Sequence, residues 1–432
     1  MTPLARIFVF AGVGLHLGLT LVCSFGLIGL EYPMISGIVL MAYVVVADRS
    51  IFFIYPAFLL ATLVFLVPLV FFDTRIASYS FRGDDVYDRG MLRALYFFVG
   101  MFAFYIFTTP RIVTLDIRQN TLARTDAAPV IASAILVVFA ALTVREGTLF
   151  SGNYNEVSAN RLSFIEFASV FTLLGFCCAR SPYARRLLII AASIYLISCL
   201  LVGLRLRFLS VFLVIVCCTW GMRLSDRWKV VGLCLALVLF SIGFIRATGF
   251  SAATHSWEIY MFLLFGREEV VSTFGGAFQT AKFYAFYIDT LASMQGLSGA
   301  YFLIGDILSI FITRGFTPAD IEIKTITQTY FAVPGGGLLP GYFFAYFGLA
   351  GSVILSAIFV AIFCGILRLS NPIFLPWKIL LLAYAPRMLL YDWVVAFKMM
   401  FFFAIAAGLI RLIANAQQLH RPGSAGLHIP GE

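Results

Sequence analysis

Two runs free of charged residues, Ile7 to Leu30 (24 residues) and Ile51 to Phe72 (22 residues), decide most of what this chain can fold into. A helix rises about 1.5 Å per residue, so roughly 20 apolar residues cross the hydrocarbon core of a bilayer. The rest of the chain repeats the pattern. Of its residues 62% are apolar, 16% aromatic and 12% charged, where soluble domains carry about 25% charged. No water-soluble domain hides that much apolar surface. Since lipid leaves every backbone polar group to be bonded internally, the expected class is an all-α polytopic integral membrane protein. Soluble enzymes, secreted disulfide scaffolds and disordered chains are excluded. So is a nucleic-acid partner, because the +9 charge, 30 basic against 21 acidic residues, is scattered along the chain.

Breaks at charges, glycines and prolines predict about 12 spans, near 7–30, 32–47, 51–72, 92–109, 127–144, 164–179, 187–203, 208–222, 230–245, 340–367, 372–386 and 399–413. The first is too long for a signal-peptide core and is expected to be retained. Clusters such as RSPYARR (Arg180 to Arg186) and RLSDRWK (Arg223 to Lys229) are nearly free of acids, so the positive-inside rule places both termini on the inner side. The expected organisation is a membrane domain 1–247 (spans one to nine), a large outer loop 248–339, spans ten to twelve in 340–413 and an inner tail 414–432. The loop holds amphipathic stretches and ends in VPGGGLLPGYFFAYFG (Val333 to Gly348), where three glycines and two prolines forbid helix continuation. The eight cysteines all lie in apolar runs and read as packing residues.

No phosphate-loop, dinucleotide, zinc-protease or nucleophile-elbow motif occurs, and the four histidines show no ligand spacing, so neither a metal centre nor a cofactor is expected. Arginine on the outer side is the anomaly. Arg75, Arg82 and Arg89 have Asp73, Asp84, Asp85 and Asp88 beside them as ion-pair partners. Arg205 and Arg207, in the short connection GLRLR, have no acid nearby in sequence, and Arg387 stands five residues before Asp392 at the end of the eleventh span. A guanidinium recognises phosphate or pyrophosphate through two parallel bonds, so these arginines point to a lipid-linked pyrophosphate. Outer-loop aromatics, among them Trp257, Tyr260, Tyr330 and Tyr342, suit a sugar cleft and equally suit interfacial anchoring.

Three places resemble the O-antigen and enterobacterial-common-antigen type polysaccharide polymerases, the Wzy family. They are Gly203-Leu204-Arg205 opening a span, the large outer loop before the last three spans, and the loop exit. That exit runs from Arg314 through Gly335, Gly336 and Gly337 to Pro340, Tyr342, Tyr346, Phe347, Gly348 and Gly351. The chain departs from that pattern at Leu204, where a small hydroxyl residue is usual, and at Ala345 and Tyr346, where an acid or Asn is frequent.

The resemblance implies a membrane glycosyltransferase, similar to the GT-C-like lipid-sugar-dependent class, in the bacterial inner membrane. Its substrates would be undecaprenyl-pyrophosphate-linked glycans, with a chain-length regulator as a partner and the loop in the periplasm. That reaction needs a cationic clamp for the leaving pyrophosphate, assigned to Arg205 and Arg387 with Arg207, Arg267 and Arg314 in support and expected to be metal-independent for want of a ligand cluster, with Tyr330, Gly335, Gly336, Gly337 and Tyr342 lining the substrate. Glu258 and Asp392 head the candidates for a proton acceptor, with Glu268, Glu269 and Asp306 behind them. Two other readings stay open: an O-antigen ligase, against which the isolated His255 argues, and a transporter or flippase with a helix broken at the glycines.

Overall fold

A computed structural model describes residues 3–47, 51–71, 85–108, 122, 125–146, 163–202, 204–220, 273–295, 298–312 and 337–419. Among these residues every regular element is a helix and none is a strand. In chain order they are α1 (Pro3–Ser24), α2 (Glu31–Ala47), α3 (Ile54–Phe71), α4 (Asp85–Thr108), α5 (Ala127–Glu146), α6 (Ala168–Cys178), α7 (Pro182–Leu201) and α8 (Arg205–Trp220). There follow α9 (Thr273–Gln295), α10 (Gly299–Phe311), α11 (Leu339–Arg368), α12 (Leu375–Ala383), α13 (Ala385–Leu390) and α14 (Val395–Leu419). Short 3₁₀ turns precede α3, α6 and α12, at Ile51–Phe53, Ser163–Phe167 and Pro372–Phe374.

Six of the described helices are long and apolar enough to cross a membrane: α3, α4, α5, α7, α11 and α14. Shorter apolar helices, including α2, α6, α8 and α10, fall below that length. The chain is thus a helical protein built for a membrane. The ninth expected span, 230–245, lies outside the described residues.

Two helices are broken, each for an identifiable backbone reason. In α11 the path is interrupted at Phe347 (φ −143°, ψ 18°) and Gly348 (φ 66°, ψ −160°); the latter conformation is essentially open to glycine alone. The break separates a buried two-turn piece, Leu339 to Tyr346, from a longer apolar segment ending at Arg368. The expected eleventh span is split as well. After α12 the chain turns at Tyr384 (φ −99°, ψ 5°) before α13. Pro386, which cannot donate to the carbonyl one turn earlier, accounts for the interruption.

Broken helices leave carbonyls without helical partners, and in lipid each would cost several kcal/mol. Tyrosines supply the missing donors. Tyr55 OH donates to the Leu381 carbonyl at 2.6 Å, Tyr342 OH to the Tyr391 carbonyl at 2.9 Å, and Tyr384 OH to the Glu166 carbonyl at 2.8 Å. His16, mid-way along α1 and fully buried, bridges in the same manner. Its Nε2 donates to the Tyr96 carbonyl of α4 at 2.9 Å, and its Nδ1 lies 2.8 Å from Ser36 Oγ of α2. Such interhelical bonds and close packing hold membrane helices together where lipid removes the hydrophobic drive between them.

Packing divides the described helices into two cores. One gathers α1 to α4 and α9 to α14 around residues such as Tyr96, Phe102, Tyr284 and Leu380. The other joins α5 and α7 to α6 and α8 around Leu136, Leu188, Tyr195 and Phe208. Helices α6 and α8 belong to both: Val170 and Val214 face the first core, Ala168 and Val211 the second. Part of the segment expected as the outer loop is helix packed into the bundle, with Phe278, Ala281, Tyr284 and Phe302 buried in the first core. Gly299 opens α10 against the Tyr346 backbone carbonyl, an approach that admits no Cβ.

Candidate functional site

The shared helices α6 and α8 bring charge to the seam between the two cores. The 3₁₀ turn Ser163–Phe167 ends one residue before α6 and carries Glu166, while α8 carries Arg207 in its first turn. Opposite them, the Pro386 break places Arg387 in the short α13. Arg387 Nη2 donates to Glu166 Oε1 at 2.8 Å, and both side chains keep about a quarter of their surface accessible, 24% and 23%. Arg207, 7% exposed, and Asp392 both act electrostatically on Glu166, the first with and the second against its negative charge. Two cations and two anions thus share one end of the bundle.

The local backbone is fixed by hydroxyls. Tyr384 OH, already donating to the Glu166 carbonyl, accepts from Ser169 Oγ at 2.6 Å, so the turn holding Glu166 is tied to the α12–α13 break. Asp392 Oδ1 accepts the Val394 N–H at 3.2 Å and its carbonyl accepts the Val395 N–H at 3.3 Å, so this carboxylate caps the start of α14.

Beside this cluster lies a tyrosine layer on the first piece of α11. Tyr342 is fully buried, its ring centroid 5.0 Å from that of Tyr284, and its hydroxyl accepts the Gly337 N–H at 3.1 Å. A Cβ on Gly337 would meet the Tyr284 ring at 3.0 Å, which makes glycine the fitting residue there. Tyr346 OH donates to Asp306 Oδ2, and Asp306 is fully buried. On the neighbouring flank Lys282 Nζ donates to Asp88 Oδ2 at 2.7 Å, and Tyr87 OH to Asp289 Oδ2 at 2.8 Å, tying α4 to α9.

Of the residues singled out from sequence, Arg207, Arg387 and Asp392 all act on Glu166, and Gly337 and Tyr342 sit in the adjoining layer as packed, internally bonded residues. Arg205 opens α8 two residues from Arg207, and its side chain lies outside the described residues, as do Glu258, Arg267, Arg314, Tyr330, Gly335 and Gly336. Sequence reasoning overlooked Glu166, Ser169 and Tyr384. Glu166 carried a usable signal: it is the one acid in the apolar run Leu162 to Ala179, and an ionisable residue in such a run calls for a partner.

At the other end of α6 the polar contacts are simpler. Asp126 Oδ1 accepts the N–H groups of Arg180 and Ser181 at 3.1 and 2.9 Å, and these bonds, with that from Ser181 foremost, lower the Asp126 carboxyl below its usual range. Ser181 Oγ in turn caps α7 by accepting the Ala184 N–H at 3.1 Å. The cysteines described (Cys23, Cys177, Cys178, Cys199, Cys217, Cys218 and Cys364) are free thiols. Among the described residues no three His, Cys, Asp or Glu side chains gather as a metal-ligand set. Comparison of the whole chain with models of known protein families, with curated proteins and with solved structures returns no match.

Proposed function

We propose that this chain is a membrane glycosyltransferase that polymerises undecaprenyl-pyrophosphate-linked repeat units into O-antigen or a related surface polysaccharide, at the periplasmic face of the inner membrane. The observation that carries the reading is that Arg207 and Arg387, 180 residues apart in sequence, both act on Glu166, whose ion pair with Arg387 is partly accessible; Arg205 lies two residues before Arg207. The chain would cross the membrane twelve times with both termini inside.

In this reading the growing glycan on its lipid pyrophosphate is the donor. A hydroxyl of the incoming repeat unit attacks the anomeric carbon, a glycosidic bond forms, and the bond to pyrophosphate breaks. Negative charge grows on the departing phosphate, and fixed guanidinium groups in a water-poor site stabilise it without reorganising. No divalent cation is required for that role. Glu166 and Asp392 are the carboxylates near enough to the arginines to accept the hydroxyl proton, and Asp392 is already engaged at the start of α14.

The test is the chain-length pattern of surface glycan in cells carrying Arg387→Ala or Arg205→Ala. Both variants are expected to reach the membrane at wild-type level and to leave single repeat units, because loss of one charge-stabilising donor costs about 10²- to 10³-fold in rate. Arg205→Lys should also be poor, since an ammonium lacks the paired donors of the guanidinium. Wild-type ladders from both alanine variants would overturn the reading.

A further inference from the structure

Arg387 already has an anion, and that fact reaches beyond the role just given to it. We propose that Glu166 is a resident competitor for the clamp: it occupies Arg387 while the site is empty and yields it to the pyrophosphate of the lipid-linked substrate. The inference rests on the reading that Arg387 receives pyrophosphate, and concerns how that binding is regulated.

Three features support an exchangeable pair over a purely structural one. The two groups meet at 2.8 Å yet remain about a quarter accessible, so a ligand entering the seam reaches both. Fully buried ion pairs, which lock structure, leave no such approach. The backbone under Glu166 is anchored separately, through its carbonyl to Tyr384 OH, so the carboxylate can rotate away without unfolding the turn. Among the groups that act on one another here, Arg207 and Arg387 face Glu166 and Asp392, so the carboxylates offset two of the cations beside the lipid. A bare pair of guanidinium groups there would carry a heavy desolvation cost and would hold the pyrophosphate product too tightly for turnover. Glu166 relieves both: it offsets charge in the empty site and competes with the product for Arg387, helping it leave.

The experiment measures binding of inorganic pyrophosphate and of farnesyl pyrophosphate to the purified full-length protein in lipid nanodiscs by calorimetry. Glu166→Gln is expected to bind both roughly twofold to fivefold more tightly than wild type, the scale of one partly exposed ion pair, and Arg387→Gln to lose binding. Equal or weaker binding by folded Glu166→Gln overturns the exchange. If that variant does not fold, the wild-type protein is treated with a water-soluble carbodiimide and mapped by mass spectrometry. Modification of Glu166 is expected to rise on adding pyrophosphate, and unchanged modification at saturating pyrophosphate overturns the exchange. Absence of pyrophosphate binding by wild type overturns the exchange and the clamp together. Tighter binding by Glu166→Gln from a wild-type protein that elongates no lipid-linked glycan supports the exchange and discards the polymerase reading alone.

Discussion

Single side chains in this protein earn their place mainly by ending a hydrogen-bond deficit. Tyr55, Tyr342 and Tyr384 each donate to a carbonyl that a turn or helix break has released, and Asp126 does the converse, accepting two N–H groups ahead of α7. Its lowered carboxyl pKa has a defined consequence for stability. The folded state favours the ionised carboxylate, so the stabilisation is complete above the unfolded value near 3.9 and is lost as pH falls through the lower folded value. Wild-type protein in detergent should therefore melt above Asp126→Asn at pH 7. The gap should close below about pH 4; a gap independent of pH would assign the effect to packing. The asparagine variant keeps a carbonyl oxygen for the same N–H groups but not its charge, so the comparison isolates the ionic part.

At the scale of elements the breaks in α11 and between α12 and α13 matter most, because Tyr342, Tyr384 and Arg387 hang on them. Gly348 adopts φ 66° and ψ −160°, a region that costs a residue with a Cβ about 1–3 kcal/mol. Gly348→Ala is expected to lower stability by that amount and, under the proposed function, to weaken glycan elongation further by shifting Tyr342 and Tyr346. A thermal midpoint equal to wild type would show that α11 straightens without penalty. The second break was not read from the sequence, where Pro386 marks the end of the expected eleventh span and not a turn within it, but the start of α11 at Leu339, just beyond the glycines, was legible. The kink at Gly348 was not. A lone glycine in an apolar helix carries no local mark of its φ, which is set by the packing of the first piece of α11 against α9 and α10. For the same reason α9 was read as part of a loop: its residues Thr273 to Gln295 mix glycine, polar and aromatic residues, and burial of one face is decided by neighbours far along the chain.

For the molecule as a whole, the hydrophobic runs announced a helical membrane protein, and the arginines with no acid nearby in sequence announced where to look. What sequence could not supply was the pairing itself, because Glu166 and Arg387 are 221 positions apart and no spacing rule links them. Orientation remains the claim with the sharpest test. Single cysteines after Gly249 and after Arg421 should label from opposite faces of the membrane, the first from outside; labelling of both from one face would remove the twelve-span arrangement. The long separation between the charged partners also sets an order of events during synthesis. Glu166 and Arg207 leave the ribosome and enter the bilayer while α13 has yet to be made, so the seam stays an unfinished half until the last spans insert. A chain arrested before Tyr384 would hold Glu166 without its ion-pair partner Arg387 and without the hydroxyl that anchors its turn. Completion of the C-terminal third is thereby the moment at which the site comes into being, and a cell's proteases would meet the unfinished form first.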